Sequence, residues 1–308
     1  MGPLDNKKRG DEMDISQFFI KGDIRGAMEY MKGREEFKDI LPFYVSLFEE
    51  EKYITYDIPE DLNAILLQYQ IYYRDIFYLG LSRVEAAGKL LKSLCDITDT
   101  SDGGEEEIGE KLRTLFEGKG YHALFGKTQG LFGPYIWKET VPTLYNVELP
   151  TGEAEYKVNI LKGFVFRSWM DYLTFGRFGT GGWASPDGTI NCIEKAYDFN
   201  SERFLVSLLK HEAQHTVDMK EFPGITATEL EYRAKLVELH YATEPGLLNK
   251  FISEASGERK EDSHSMASER IRVDFLGIDG NDIPLIQHKA LELFLAHTEE
   301  MKRKYCKA

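Results

Sequence analysis

Two histidines and a glutamate stand close together in residues 210–218, which read KHEAQHTVD. His211 and His215 are four residues apart, so in a helix their side chains lie on the same face, one turn apart. Two imidazoles in that arrangement can bind a single Zn²⁺. Glu212 follows the first histidine directly, where its carboxylate can act as a general base toward a water molecule at the metal. The segment therefore predicts a zinc site that activates water.

The residues before this motif predict the helix that must carry it. Asn200 or Ser201 can cap the N-terminus of the helix, and Glu202 would lie in its first turn, where a negative charge is favourable. Apolar residues then recur at helical spacing: Phe204, Leu205, Leu208 and Leu209. The stripe through Phe204 and Leu208 leads into the two histidines. We therefore expect a buried helix that carries its metal ligands at the inner end.

A catalytic zinc ion usually has a third protein ligand, and we expect it on the next helix. The sequence TATELEYRAKLVELHY, which begins at Thr226, predicts that helix and offers Glu229 and Glu231. Thr226 and Glu229 form a capping box if the helix begins at Thr226, which would occupy Glu229 with backbone amides. Thr228 and Glu231 can form the same box two residues later. We favour Glu231 as the ligand, with Glu229 as the alternative.

Together, KHEAQHTVD and ELEYRAKL resemble the gluzincins, a class of zinc metallopeptidases. In that class, two histidines of an H-E-x-x-H motif and a glutamate from the next helix bind the metal. The E-Y-R-A run from Glu231 resembles the E-x-x-A signature of several such families. The resemblance implies that His211, His215 and Glu231 are the zinc ligands. It also implies that Glu212 is the general base of peptide-bond hydrolysis. The similar region spans residues 179–241.

One feature departs from the family pattern. Many relatives have Asp or Asn directly after the alanine, whereas this chain has Lys235. Glu238, one heptad after Glu231, either replaces that partner or is a simple surface charge. The group that would stabilise the oxyanion is also not identified by its position, and the candidates are His240, Tyr241, His264, Arg270 and His288.

Composition and charge restrict the partners of the protein. The chain has 308 residues, of which 42% are hydrophobic, and its formal net charge is −14. That charge argues against non-specific binding to nucleic acid and against adhesion to anionic membranes. No segment approaches the roughly 18 apolar residues of a membrane span, and the first residues contain no signal-peptide apolar region. We therefore expect a cytoplasmic protein that acts on peptide or protein substrates, while its oligomeric state stays open.

The three cysteines, Cys95, Cys192 and Cys306, are far apart and odd in number. They predict no disulfide framework and favour a reducing compartment. Deformylase-like chemistry uses a cysteine ligand, and Cys192, far upstream of His211, could supply one only through an unusual fold. That chemistry is therefore disfavoured.

The pattern of the remaining chain predicts an α+β protein that is mostly helical. Residues 15–97 show helical periodicity, and residues 98–107 combine turn formers with charges typical of an exposed linker. Two β-type segments, 143–149 and 155–166, predict a hairpin or the start of a small antiparallel sheet. Residues 181–184 predict either a sheet edge that could pair with an extended substrate or a structural turn with Trp183 in the core. The expected sheet is small and twisted and lies next to the helix of the H-E-x-x-H motif.

We expect a helical region at residues 1–110 and a zincin-like metallopeptidase domain at residues 111–308. Zinc-dependent peptide-bond hydrolysis is the predicted function. The main alternative is a zinc-bound regulatory or sensor protein that uses the same scaffold without appreciable proteolysis. A helical interaction protein with an accidental motif and a zinc hydrolase of non-peptide amides are further alternatives.

Overall fold

The computed structural model describes residues 15–100, 104–185, 188–255 and 262–306. The chain divides into two compact units that alternate along the sequence. The first unit comprises Met1–Glu139 and Gly163–Thr180, and the second comprises Thr140–Lys162 and Gly181–Ala308. Both units combine helices with strands, so the predicted α+β class is confirmed.

Helices dominate the described residues, and none of them is long and apolar enough to cross a bilayer. The helices are α1 (Ser16–Lys21), α2 (Ile24–Met31), α3 (Leu41–Tyr44), α4 (Glu60–Phe77), α5 (Arg83–Thr98), α6 (Glu105–Glu117), α7 (Ser168–Leu173), α8 (Glu202–Phe204), α9 (His211–Glu221), α10 (Ala227–Tyr241), α11 (Leu247–Glu254), α12 (Ser263–Asp274) and α13 (Ile283–Tyr305). The strands are β1 (His122–Leu124), β2 (Lys127–Thr128), β3 (Leu131–Phe132), β4 (Tyr135–Trp137), β5 (Glu139–Leu149), β6 (Gly152–Lys162), β7 (Phe166–Arg167), β8 (Gly182–Ala184) and β9 (Ile190–Ile193). Short 3₁₀ turns occur at Glu35–Phe37 and Glu194–Ala196, and π-helical turns at Val45–Glu49 and Leu205–Lys210.

The first unit packs α4 against α5 beside a three-stranded antiparallel sheet of order β1-β4-β7. Apolar residues that recur at helical spacing on α4 are buried: Leu62, Ile65, Leu66, Tyr69, Tyr73 and Phe77. On α5 the same spacing predicts an apolar stripe through Val84, Ala87, Leu91 and Leu94, but Val84 is 84% exposed. The buried residues of α5 are Ala86, Leu90 and Leu94. The sequence of α5 offers two neighbouring apolar faces, one through Val84 and one through Ala86. Packing against α4 buries the face that contains Ala86.

The predicted linker at residues 98–107 is shorter than the sequence suggests. Residues 101–103 lie outside the described residues, but Glu105, Glu106 and Glu107 already form the first turn of α6. Carboxylates are favourable there because they interact with the positive end of the helix dipole. The predicted domain boundary at residue 110 falls inside α6. Along the chain, the boundaries between the two compact units are Glu139/Thr140, Lys162/Gly163 and Thr180/Gly181.

The second unit contains a four-stranded sheet of order β5-β6-β9-β8. Strands β5 and β6 are neighbours, which confirms the predicted hairpin, and β6 pairs in parallel with β9. Strand β6 ends at Lys162, so Phe166 belongs instead to β7 in the first unit. Apolar residues of the sheet and of helices α8–α13 form one core, which includes Val158, Ile190, Phe204, Ala213, Leu236, Phe251, Ile271 and Phe294.

Strand β8 lies at one edge of this sheet and pairs antiparallel with β9. A Cβ atom on Gly182 would lie 2.3 Å from the carbonyl oxygen of Asn191. Glycine is therefore required by the close approach of the two strands. The position of β8 agrees with the predicted sheet edge, and its pairing with a substrate stays a prediction.

The helix that carries the H-E-x-x-H motif begins where the sequence predicts. Ser201 is its N-cap, with the side-chain oxygen accepting a hydrogen bond from the backbone N–H of Phe204 at 3.3 Å. The chain then passes through the π-helical turn Leu205–Lys210 before α9 begins at His211. Phe204, Leu209 and Ala213 are buried, so the spacing between buried residues is five across the π-helical turn and four after it. Because a π-helical turn contains more residues than an α-helical turn, Leu209 is buried in place of the predicted Leu208.

Candidate metal centre

His211 and His215 on α9 converge with Glu231 on α10. One potential ligand atom of each residue lies within 4.8 Å of the other two. Nε2 of His211 is 3.4 Å from Oε2 of Glu231, and Nε2 of His215 is 3.4 Å from Oε1. The two imidazole rings are nearly perpendicular, with centroids 4.5 Å apart. The three residues predicted as metal ligands therefore lie together in the second unit.

These distances fit a shared metal ion. A good N–H···O hydrogen bond measures about 2.7–3.2 Å between heavy atoms, so 3.4 Å is long for direct pairing. Two donors that each lie about 2.0–2.1 Å from a tetrahedral zinc ion are about 3.3 Å apart. Oε2 of Glu231, which faces Nε2 of His211, is buried and has no hydrogen-bond partner among the described residues. Two imidazoles with one carboxylate are a common donor set for catalytic zinc.

Glu238 contacts His211 at Nδ1, the ring nitrogen that does not face Glu231. Its Oε1 atom lies 2.6 Å from Nδ1 of His211, and its side chain is buried. An ionised carboxylate only accepts hydrogen bonds, so Nδ1–H of His211 donates to Glu238, while Nε2 faces Glu231. Glu238 is therefore not a surface charge. The available sequence signal was its position seven residues after Glu231, two helical turns along the same face.

Replacing Glu238 with alanine is expected to weaken zinc binding about 10–100-fold, because the orientation and tautomer of His211 would no longer be held. The zinc dissociation constant can be measured by competition with a chromophoric chelator. Glu244→Ala, in an exposed residue just after α10, is the control and should leave that constant unchanged. Equal zinc affinity in wild type and Glu238→Ala would contradict the assigned role.

Lys235, which directly follows the E-Y-R-A run, forms its contacts with α11. Its side chain is buried, with Nζ 3.2 Å from Oε2 of Glu254 and 4.0 Å from the ring centroid of Phe251. The ammonium group of Lys235 therefore pairs with Glu254 rather than with a candidate metal ligand.

The charges in the site favour a cation between the imidazoles. Burial by itself lowers the pKa of His211, but the carboxylates of Glu231 and Glu238 outweigh it and raise that pKa to about 10. Burial likewise raises the pKa of Glu231, but the neighbouring histidines hold it well below its ordinary value. A metal ion that binds Nε2 of His211 must displace a proton, as zinc ligands generally require.

Glu229, the alternative third ligand, is engaged elsewhere. Its backbone N–H donates to Oγ1 of Thr226 at 3.3 Å, and its Oε2 accepts from the backbone N–H of Thr226 at 3.1 Å. This is the capping box predicted for a helix that begins at Thr226. Lys304 Nζ and the hydroxyl of Tyr305 each lie 2.7 Å from the same carboxylate. Glu231 is left to face the histidines.

A buried ion pair connects the two ligand-bearing helices. Nε of Arg233 on α10 donates to Oδ2 of Asp218 on α9 at 2.8 Å, and both side chains are fully buried. Gln214 donates to Oδ1 of Asp218 at 2.9 Å, and Arg233 also donates to Oγ1 of Thr298 on α13 at 3.0 Å. These bonds fix α10 against α9 near the residues that carry the candidate ligands. Sequence reasoning did not identify this pair.

Glu212 is the second residue of α9 and is half-buried. Its carboxylate forms no hydrogen bond or ion pair with any described residue. Its role as a general base stays a prediction.

Of the five candidates for an oxyanion-stabilising group, His264 lies at the site. Its Nδ1 atom is 2.9 Å from Oε2 of Glu231. The other four interact elsewhere: His240 with the carbonyl oxygen of Gln287, Tyr241 with Lys210, Arg270 with Tyr232, and His288 with Glu292. Cys192 is fully buried in β9, where burial raises the pKa of its thiol to about 12, and it is not among the clustered ligands.

Comparison of the chain with protein-family models, with curated protein sequences and with solved structures finds no match. The functional interpretation therefore depends on the residues of the site and on the two motif segments.

Proposed function

We propose that this protein is a zinc-dependent metallopeptidase that hydrolyses peptide bonds, with a zincin-like catalytic domain of the gluzincin type in its second unit. The convergence of His211, His215 and Glu231 within 4.8 Å is the observation that supports it most. Glu238 behind His211 and the unengaged carboxylate of Glu212 are the further features that hydrolysis requires. We also propose a cytoplasmic location, from composition and cysteine content.

In this proposal, Nε2 of both histidines and a carboxylate oxygen of Glu231 hold the metal. Bound zinc supplies a Lewis acid for the scissile carbonyl and lowers the pKa of water toward neutrality. Glu212 removes a proton from the water that attacks the carbonyl carbon and later passes it to the leaving amine as the C–N bond breaks. Glu238 keeps the proton of His211 on Nδ1 throughout, and the Arg233–Asp218 pair keeps the two ligand helices in register.

Elemental analysis of the purified protein tests the metal site. We expect about one zinc ion per chain in wild type, its loss in His211→Ala and Glu231→Gln, and its retention in Glu229→Gln, because Glu229 belongs to the capping box. Glu229→Gln is thus the matched control for Glu231→Gln on the same helix. Absence of zinc from wild type after metal has been added back would refute the proposal.

Cleavage of a peptide library tests the reaction. Zinc-loaded wild type should cleave peptides, removal of the metal by a chelator should abolish cleavage, and added zinc should restore it. Stoichiometric zinc without any cleavage would instead support the regulatory or sensor protein considered above.

A further inference from the structure

The first unit contains a cavity of about 260 Å³ whose walls are mainly aromatic and aliphatic. Four aromatic side chains line it: Tyr56, Phe166, Tyr172 and Phe175. Two charged side chains of opposite sign, Arg167 and Asp171, line it as well. Pockets for drug-sized ligands measure about 300–1,000 Å³, so a cavity of this volume suits a smaller organic molecule.

Arg167 and Asp171 form an ion pair that does not satisfy the carboxylate. Arg167 ends β7 and Asp171 lies in α7, with Nη2 of the arginine 2.5 Å from Oδ1 of the aspartate. This is a charge contact, because Oδ1 accepts no hydrogen bond from any described residue. The two side chains are 28% and 19% exposed. Burial raises the pKa of Asp171 to about 6, since the nearby guanidinium only partly offsets the loss of hydration.

Gly176 keeps the space beside this ion pair open. It lines the cavity, and its φ of 80° lies in the left-handed region that favours glycine. A Cβ atom on Gly176 would lie 3.4 Å from Nη2 of Arg167 and 3.8 Å from Oδ1 of Asp171. A larger residue would therefore crowd the two charged groups, whereas glycine leaves them accessible to a small molecule.

A free α-amino acid has groups that complement each part of the cavity. Its ammonium group can donate to a carboxylate, and its carboxylate can accept from the N–H groups of a guanidinium. Its side chain can fill the apolar part of the cavity. A simple amine would instead meet the positive charge of Arg167, and a simple carboxylic acid would meet the negative charge of Asp171. Only a zwitterion makes both charges favourable.

We propose that this cavity binds a free α-amino acid with an apolar side chain, with Asp171 at its ammonium group and Arg167 at its carboxylate. The aromatic walls contact the side chain of the ligand and select against polar amino acids. All the lining residues belong to the first unit, so the inference is independent of the zinc site in the proposed function.

Isothermal titration calorimetry of the wild-type protein with three related ligands tests the class of ligand. The ligands are L-leucine, 3-methylbutylamine, which lacks only the carboxylate, and 4-methylpentanoate, which lacks only the ammonium group. Hydrogen bonds to charged groups contribute enough that each analogue should bind about 10–100-fold more weakly than L-leucine. Failure of wild type to bind L-leucine at millimolar concentration would overturn the inference, and so would an analogue that bound as tightly as L-leucine.

Two variants test the assigned partners. Asp171→Asn should bind L-leucine about 10–100-fold more weakly and prefer 4-methylpentanoate to the amine, whereas Arg167→Gln should lose a similar factor and show the opposite preference. A purely structural defect would not reverse the preference between the analogues. Asp61→Asn is the matched control, because Asp61 is 56% exposed in the same unit and pairs with Lys119 at 3.1 Å, so its affinity should equal that of wild type.

Unchanged affinity for L-leucine in both Asp171→Asn and Arg167→Gln would show that it binds elsewhere and would overturn the inference. The same preference between the analogues in both variants would also contradict it. None of these measurements depends on zinc content or on peptide cleavage, so the inference and the proposed function can fail separately.

Discussion

Replacing Glu212 with glutamine is expected to lower peptide hydrolysis by about 10²–10⁴-fold without changing zinc content. Glutamine preserves the size of the side chain and one oxygen, but it cannot take a proton from water. Metal binding should persist because Glu212 is not among the clustered ligands. Steady-state kcat/KM on a fluorogenic peptide, together with elemental analysis of the same preparation, measures both quantities.

Glu221→Gln is the control for this substitution. Glu221 is exposed at the last position of the same helix, so its replacement removes an identical charge without touching the candidate site. Its kcat/KM should equal that of wild type. A Glu212→Gln protein that retained full activity would show that another group accepts the proton. A protein that lost both zinc and activity would assign Glu212 to metal binding instead.

Replacing Arg233 with methionine is expected to lower the free energy of unfolding by about 3–5 kcal/mol. The substitution preserves much of the side-chain volume but leaves the fully buried carboxylate of Asp218 without its positive partner. Asp218 would keep the hydrogen bond from Gln214, which cannot neutralise its charge. Urea unfolding in the presence of a chelator measures the change, since bound zinc would otherwise stabilise the folded state by mass action.

Removing both members of the pair should be far less harmful than removing one. In the double variant Asp218→Leu/Arg233→Met no charge is left buried, so most of the lost stability should return. Arg272→Met, which removes an exposed ion pair with Glu269, should leave the unfolding midpoint unchanged. If Arg233→Met were as stable as wild type, Asp218 would have to be neutral or hydrated, and the ion pair would not hold the ligand helices together.

Local patterns in the sequence were sufficient for several features of the fold and of the site. The Ser201 cap, the Thr226–Glu229 capping box and the hairpin of β5 and β6 depend on residues that are neighbours in the chain. The capping box also explains why Glu231 rather than Glu229 faces the histidines. Where the deciding interactions were not local, sequence reasoning was less accurate. The buried face of α5 depends on α4, and the π turn before α9 alters the spacing of the buried residues.

By itself, the sequence determined the types and spacing of the candidate ligands, because His211 and His215 share a helical face through backbone geometry alone. Tertiary structure decided which other groups meet them. Glu238, His264 and the Arg233–Asp218 pair reach the site or its helices across 15 to 33 residues of chain. Contacts of that kind have no local signature, since they depend on how α9, α10 and α12 pack. Packing depends on the apolar faces of whole helices, so it appears only when the core is assembled.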